Sequence, residues 1–288
     1  MSTSELTLAP PVVAAPRRAS ARLLGSELRL VFRRRRNIGM LAVLAAAPVL
    51  LGIIVRVTSG PDAGDGPPLL SQVTQNGFFL GLAALVFASP LFLPMVISVV
   101  AGDSVAGEAN SGTLRNLLIV PAGRTRLLAV KYAGIAGYAL ACVVTVVGAG
   151  LITGLVLFPA GDVVMLSGTT VSMVEALGRA GLVVLYMTAM LATLGAIGLF
   201  LSTLTEVPMG AMAATVTYAV VVQILDAIPQ IDAIHPYLSG HWWMSFIDLL
   251  RDPMLLDEVG QGLVVQAAYV AVFGTLAWAR FSTKDVTS

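Results

Sequence analysis

Long apolar runs recur along this chain between short polar breaks, and their lengths are those of membrane-crossing helices. A helix needs roughly 20 mostly apolar residues to cross the hydrocarbon core of a bilayer. Six runs reach that length, at residues 38–57, 79–101, 132–158, 180–203, 207–228 and 263–280. The second contains Pro90 and Pro94, which buried membrane helices tolerate where neighbours satisfy the freed backbone groups. The pattern predicts an all-α membrane protein of six transmembrane helices, occupying residues 17–288 as a single domain behind a disordered tail at 1–16.

Other periodicities mark segments that do not span. Over residues 21–36, Arg22, Ser26, Arg29 and Arg33 share one helical face, while Leu24, Leu28 and Val31 line another. This predicts an amphipathic helix in the headgroup layer, with Arg22, Arg29 and the run Arg33, Arg34, Arg35 and Arg36 facing anionic lipid. Residues 102–131 form a loop too long for a simple turn, expected to hold a short helix. Ser111 or Thr113 caps that helix, Leu114, Leu117 and Leu118 form its apolar stripe, and Pro121 ends it. Residues 229–262 are too apolar for a solvated loop and too interrupted for a span. Short interfacial or re-entrant helices fit, with Trp242 and Trp243 at headgroup depth.

Charge supplies the orientation. Positive residues crowd before the first run and at Arg115, Arg124, Arg126, Lys131, Arg280 and Lys284. The alternate loops are acidic, with Asp62 and Asp65, then Asp162 and Glu175, then Asp232, Asp248, Asp252, Asp257 and Glu258. Six spans with both termini cytoplasmic satisfy the excess of Arg and Lys in cytoplasmic segments. A cleaved signal peptide is disfavoured, because the 37 residues before the first run and the run itself exceed the usual signal lengths. Composition agrees with a membrane protein: 57% of residues are hydrophobic and 11% charged, against about 25% charged in soluble domains. The mean hydropathy is +0.89. Arginine outnumbers lysine fifteen to two, a bias of GC-rich bacterial genomes.

Candidate chemistry is sparse. Cys142 is the only cysteine and sits in an apolar run, which excludes an internal disulfide. No phosphate-binding loop, nucleophile elbow or His-Glu-x-x-His occurs. Mid-span polar groups are mainly Thr145, Thr153, Thr188, Thr193, Thr215, Thr217 and Gln223, which suit backbone bonding and helix packing. His235 and His241, with Asp232 or Asp248, raise a metal site or a shallow active site, but the spacing matches no metal motif and no bound metal is expected. The spans lack the mid-membrane carboxylates of an ion-coupled carrier, so the energy source is expected in another chain. A secondary transporter and a membrane enzyme remain the alternatives.

Glu108, Gly112-Thr113-Leu114, Leu117-Leu118, Pro121, Arg124 and Lys131 together resemble the permease subunits of ABC-2-type ATP-binding-cassette transporters. The layout of amphipathic helix, six spans and long first basic loop is similar too. Arg115 departs from the pattern, standing where relatives often carry an acidic or polar residue. The resemblance implies a coupling helix near 113–120, with Glu108, Gly112, Thr113, Leu114, Arg115, Leu117, Leu118 and Arg124 facing a cytoplasmic ATPase. It implies two such ATPase subunits per complex, which bind the ATP and Mg, so that this chain is no enzyme and needs no cofactor of its own. It implies a second permease chain as homodimer or heterodimer, contact with membrane lipids but not nucleic acid, and a place in the bacterial inner membrane. The uncharged spans suit export of a hydrophobic or amphipathic compound: a drug, antibiotic, lipid-linked molecule or peptide.

Overall fold

The computed structural model describes residues 17–58, 68–110 and 123–283. In chain order the helices are α1 (Arg17–Arg33), α2 (Arg35–Thr58), α3 (Pro68–Gln75), α4 (Phe79–Ala88), α5 (Phe92–Asn110) and α6 (Arg124–Leu157). A two-stranded hairpin follows, β1 (Val163–Val164) with β2 (Thr170–Val171), paired antiparallel. Then come α7 (Met173–Leu204), α8 (Pro208–Asp226), two 3-10 helices (Pro229–Tyr237 and His241–Leu250) and α9 (Asp257–Thr283). Among the described residues, six helices, α2, α5, α6, α7, α8 and α9, are long and apolar enough to cross a membrane. The chain is a multi-pass, all-α membrane protein.

The second span differs from the sequence expectation. A helix over 79–101 is interrupted at Ser89–Leu91, and its continuation, α5, runs on to Asn110. The cause is proline chemistry. Pro90 and Pro94 lack the N–H groups that would bond Val86 O and Pro90 O in a continuous helix. Side chains take their place: Ser89 Oγ donates to Val86 O at 3.1 Å, and Gln223 Nε2 on α8 donates to Pro90 O at 2.5 Å. The loop expected at 102–131 therefore shortens, since both its ends are helical.

α7 is the central helix, with 72% of its apolar window buried, whereas α9 has only 17% and borders the bundle. Thr145, Thr188, Thr193 and Thr215 each donate back to the carbonyl four residues earlier, as expected of mid-span hydroxyls. The tightest helix crossing joins the start of α4 to the end of α6. A Cβ on Gly77 would collide with the Gly154 carbonyl, and one on Gly150 with the Gly81 backbone. Gly77/Gly81 and Gly150/Gly154 are thus two Gly-x-x-x-Gly pairs facing each other, a small-residue contact that lets membrane helices approach closely.

Most of the described basic residues lie toward one end of the bundle, and the opposite end carries Glu175, Asp226, Asp248, Asp252, Asp257 and Glu258. At the acidic end, Arg179 is buried and holds Glu175 (2.7 Å), Asp252 (3.1 Å) and the Arg251 carbonyl (2.6 Å). Leu166 of the hairpin donates to the Leu250 carbonyl at 3.3 Å. Trp242 and Trp243, expected at headgroup depth, are both buried inside the chain. Tyr186 of α7 donates to the Trp242 carbonyl at 2.7 Å, and Gln266 of α9 to the Ser239 carbonyl at 2.8 Å. Residues 229–250 of that apolar segment are therefore a cap of 3-10 turns packed on α7, α8 and α9, and its last residues, 257–262, begin α9.

Candidate functional site at the basic end

α1 lies against α6, and the two approach closely because Gly134 and Gly137 carry no side chain. A Cβ at those positions would sit 3.1 Å from Glu27 Cγ and 3.0 Å from Leu28 Cδ2. The chain then turns at Arg34 into α2. Asn37 stabilises this turn by donating to the Val31 carbonyl at 2.8 Å, and Tyr138 of α6 donates to the Asn37 carbonyl at 2.8 Å.

Charges converge on this corner. Lys131 is 1% exposed, with Nζ 2.6 Å from Glu108 and 3.5 Å from Glu27. Arg34 and Arg36 both pair with Asp103, the latter at 2.9 Å. Lys131, Arg34, Arg36, Glu27, Glu108 and Asp103 line one crevice of about 20 Å³. Three cations meet three anions, so the cluster is neutral as a whole. An isolated buried ammonium is strongly unfavourable, and a close carboxylate pair is what makes it tolerable. The cluster ties α1, the α1–α2 turn, α5 and α6 into one unit.

α5 is gripped on its other side by α7. The Ser202 hydroxyl donates to the Gly102 carbonyl at 2.7 Å and accepts from the Val105 and Ala106 amides at 3.1 and 2.9 Å. Gly102 lets α8 approach, since a Cβ there would lie 2.6 Å from the Met212 amide nitrogen. Arg124 opens α6 and donates to the Ser282 carbonyl of α9, while Trp278 Nε1 donates to Thr125 at 2.8 Å. Beside these contacts runs an open apolar groove of about 420 Å³ between α6, α7 and α9, lined by Leu128, Tyr132, Leu199, Val270, Gly274 and Trp278. That volume suits a drug-sized apolar molecule.

Of the residues singled out from the sequence, Glu108 and Arg124 lie in this corner. Glu108 is paired with this chain's own Lys131. Gly112, Thr113, Leu114, Arg115, Leu117 and Leu118 lie outside the described residues, as do the 1–16 tail and the side chain of Arg22. Arg29, Arg33 and Arg35 are exposed, whereas Arg34 and Arg36 are engaged with Asp103. Glu27, Asp103 and Ser202 were missed. Glu27 had a signal: it falls three residues after Leu24 and four before Val31, on the apolar stripe, where a carboxylate requires a partner.

The descent of α5 into this corner and the return of α6 from it frame the segment on which the resemblance rests. A family model described as "ABC-2 family transporter protein" matches residues 32–223, two thirds of the chain. The chain belongs to the ABC-2 transporter family. No curated protein matches its sequence significantly. As an ABC-2 permease it is a transport membrane component, of a family that works with ATP-binding-cassette ATPase subunits. The matched range takes in α2 to α8 as far as Gln223 and includes Asp103, Glu108, Lys131 and Ser202.

Proposed function

We propose that this chain is the membrane-spanning subunit of an ATP-driven exporter, assembled as a homodimer or heterodimer with two separately encoded cytoplasmic ATPase subunits. The ATPases bind the ATP and Mg; this chain carries no catalytic group. The observation that carries the reading is the neutral charge cluster around buried Lys131. It joins α1, α5 and α6 where the 111–122 segment leaves α5 and rejoins α6. A docked ATPase that pushes on Gly112, Thr113, Leu114, Arg115, Leu117 and Leu118 acts on two spans already locked to each other. ATP-driven closure then moves α5 and α6 as a rigid pair instead of bending a loop. The apolar groove beside α6 supports a hydrophobic or amphipathic cargo. The crowding of Arg and Lys at the cluster end supports a cytoplasmic location for that end in a bacterial inner membrane.

Co-purification with the partner ATPase tests the coupling role. Leu117→Asp places a carboxylate in an apolar docking stripe and is expected to lose most of the bound ATPase while the permease still folds. Wild-type association and transport in that variant would remove the coupling role from this segment. Transport in reconstituted vesicles is expected to survive an uncoupler and to stop with a hydrolysis-deficient ATPase. The opposite pattern would point to an ion-coupled carrier.

A further inference from the structure

The chain has only two histidines, and the fold brings them together at the acidic end of the bundle. His235 lies on the first 3-10 helix and His241 opens the second, with ring centroids 5.8 Å apart. Asp226, the last residue of α8, places Oδ1 2.6 Å from His241 Nδ1. One ligating atom from each of the three lies within 4.8 Å of the others. We infer that Asp226, His235 and His241 form a binding site for a divalent transition metal of the zinc type.

The donor set fits that ion. Two imidazoles and a carboxylate suit Zn²⁺ and its neighbours, whereas Mg²⁺ and Ca²⁺ require more oxygen ligands. Zinc–nitrogen and zinc–oxygen bonds of about 2.0–2.2 Å place ligand atoms of a tetrahedral ion roughly 3.3 Å apart. Small side-chain rotations bring the three groups to that spacing. They are free to make them, and an ion can reach them, because the side chains of His241 and Asp226 are about a third exposed.

The surroundings also prepare the rings. His235 Nε2 lies 3.1 Å from the Ile228 carbonyl. A carbonyl only accepts, so the proton sits on Nε2 and Nδ1 keeps its lone pair. Fixing one ring nitrogen on a carbonyl or carboxylate is how metal-binding histidines are oriented. His241 Nδ1 and Asp226 Oδ1 already face each other at 2.6 Å, so an ion bound between them takes those two atoms as ligands and displaces the proton they share. The Trp242 ring stands edge-on to His241 at 4.9 Å. The carboxylate is Asp226, and not the Asp232 or Asp248 considered from the sequence: Asp232 is exposed and Asp248 pairs with Arg251 at 3.2 Å.

A bound ion would clamp the end of α8 to both 3-10 helices, at the far end of α8 from the Lys131 cluster. With three protein ligands, one position stays open to water or an anionic group. The site lies beyond the family-matched range, which ends at Gln223, and it stands whether or not the ATPase reading holds.

The test uses the full chain in detergent, purified through a tag without histidine and stripped with EDTA. Calorimetric titration with ZnCl₂ is expected to show one ion per chain. His235→Gln and His241→Gln are each expected to weaken binding at least about tenfold, the lower bound for losing even an outer-shell partner. His235→Gln leaves the Asp226–His241 contact in place, so its fold has an internal safeguard. The wild-type Co²⁺ spectrum decides the matter without any variant: ligand-field bands that Zn²⁺ abolishes are expected. A spectrum lacking them, or wild-type zinc affinity in both histidine variants, would overturn the site.

Discussion

Lys131 shows how one residue can organise a corner of a membrane protein. Its ammonium is almost fully enclosed, and its nearest partners come from α1 and α5, more than twenty residues away in sequence. Breaking a buried pair from one side leaves an uncompensated charge and costs about 3–5 kcal/mol. Lys131→Met and Glu108→Ala are therefore each expected to lower the thermal midpoint in detergent markedly. The double variant Lys131→Met with Glu108→Leu is expected to recover part of that loss, because replacing a whole buried pair with apolar side chains is often near neutral. Additive losses in the double variant would show that the two residues act separately.

Among the elements, the α4–α6 crossing is the sharpest case of backbone shape deciding packing. Lipid tails are as apolar as leucine, so helices in a bilayer associate through close fit and not through escape from water. Gly77 and Gly81 admit Gly150 and Gly154 to backbone contact. Gly154→Leu is expected to separate the helices and to yield protein that aggregates on extraction. Gly148→Leu, on the same helix with open space around it, is expected to behave as wild type. Gel filtration of the two variants side by side checks this. The interrupted α4–α5 path shows the same economy, with Ser89 and Gln223 replacing bonds that two prolines cannot make.

For the whole molecule, the separation of basic and acidic ends makes a topological prediction. In a Cys142→Ala background, Gly161→Cys at the acidic end is expected to react with an impermeant maleimide in intact cells. Gly25→Cys on α1 is expected to react only after permeabilisation. Both glycines have open space around them, so neither cysteine should disturb the fold. The reverse labelling pattern would invert the molecule and place the Lys131 cluster on the wrong side for a cytoplasmic ATPase.

Span number, helical class and the amphipathic helix before the first span were legible in the chain by itself, because they follow from run length and periodicity, which are local properties. The ABC-2 affinity was legible as well, from residues around Glu108 to Lys131. Tertiary structure decided which polar groups meet. Glu27, Asp103 and Ser202 acquire meaning only once α1, α5, α6 and α7 are packed together. Asp226 replaces Asp232 and Asp248 beside the histidines only once α8 ends against the 3-10 cap. The break at Ser89–Leu91 needed the same knowledge, since a proline in a membrane helix is tolerated or not according to the donors that neighbouring helices bring to its freed carbonyl. Hydrophobicity is summed along a chain, whereas ion pairing and coordination depend on distances across it, and only the fold sets those.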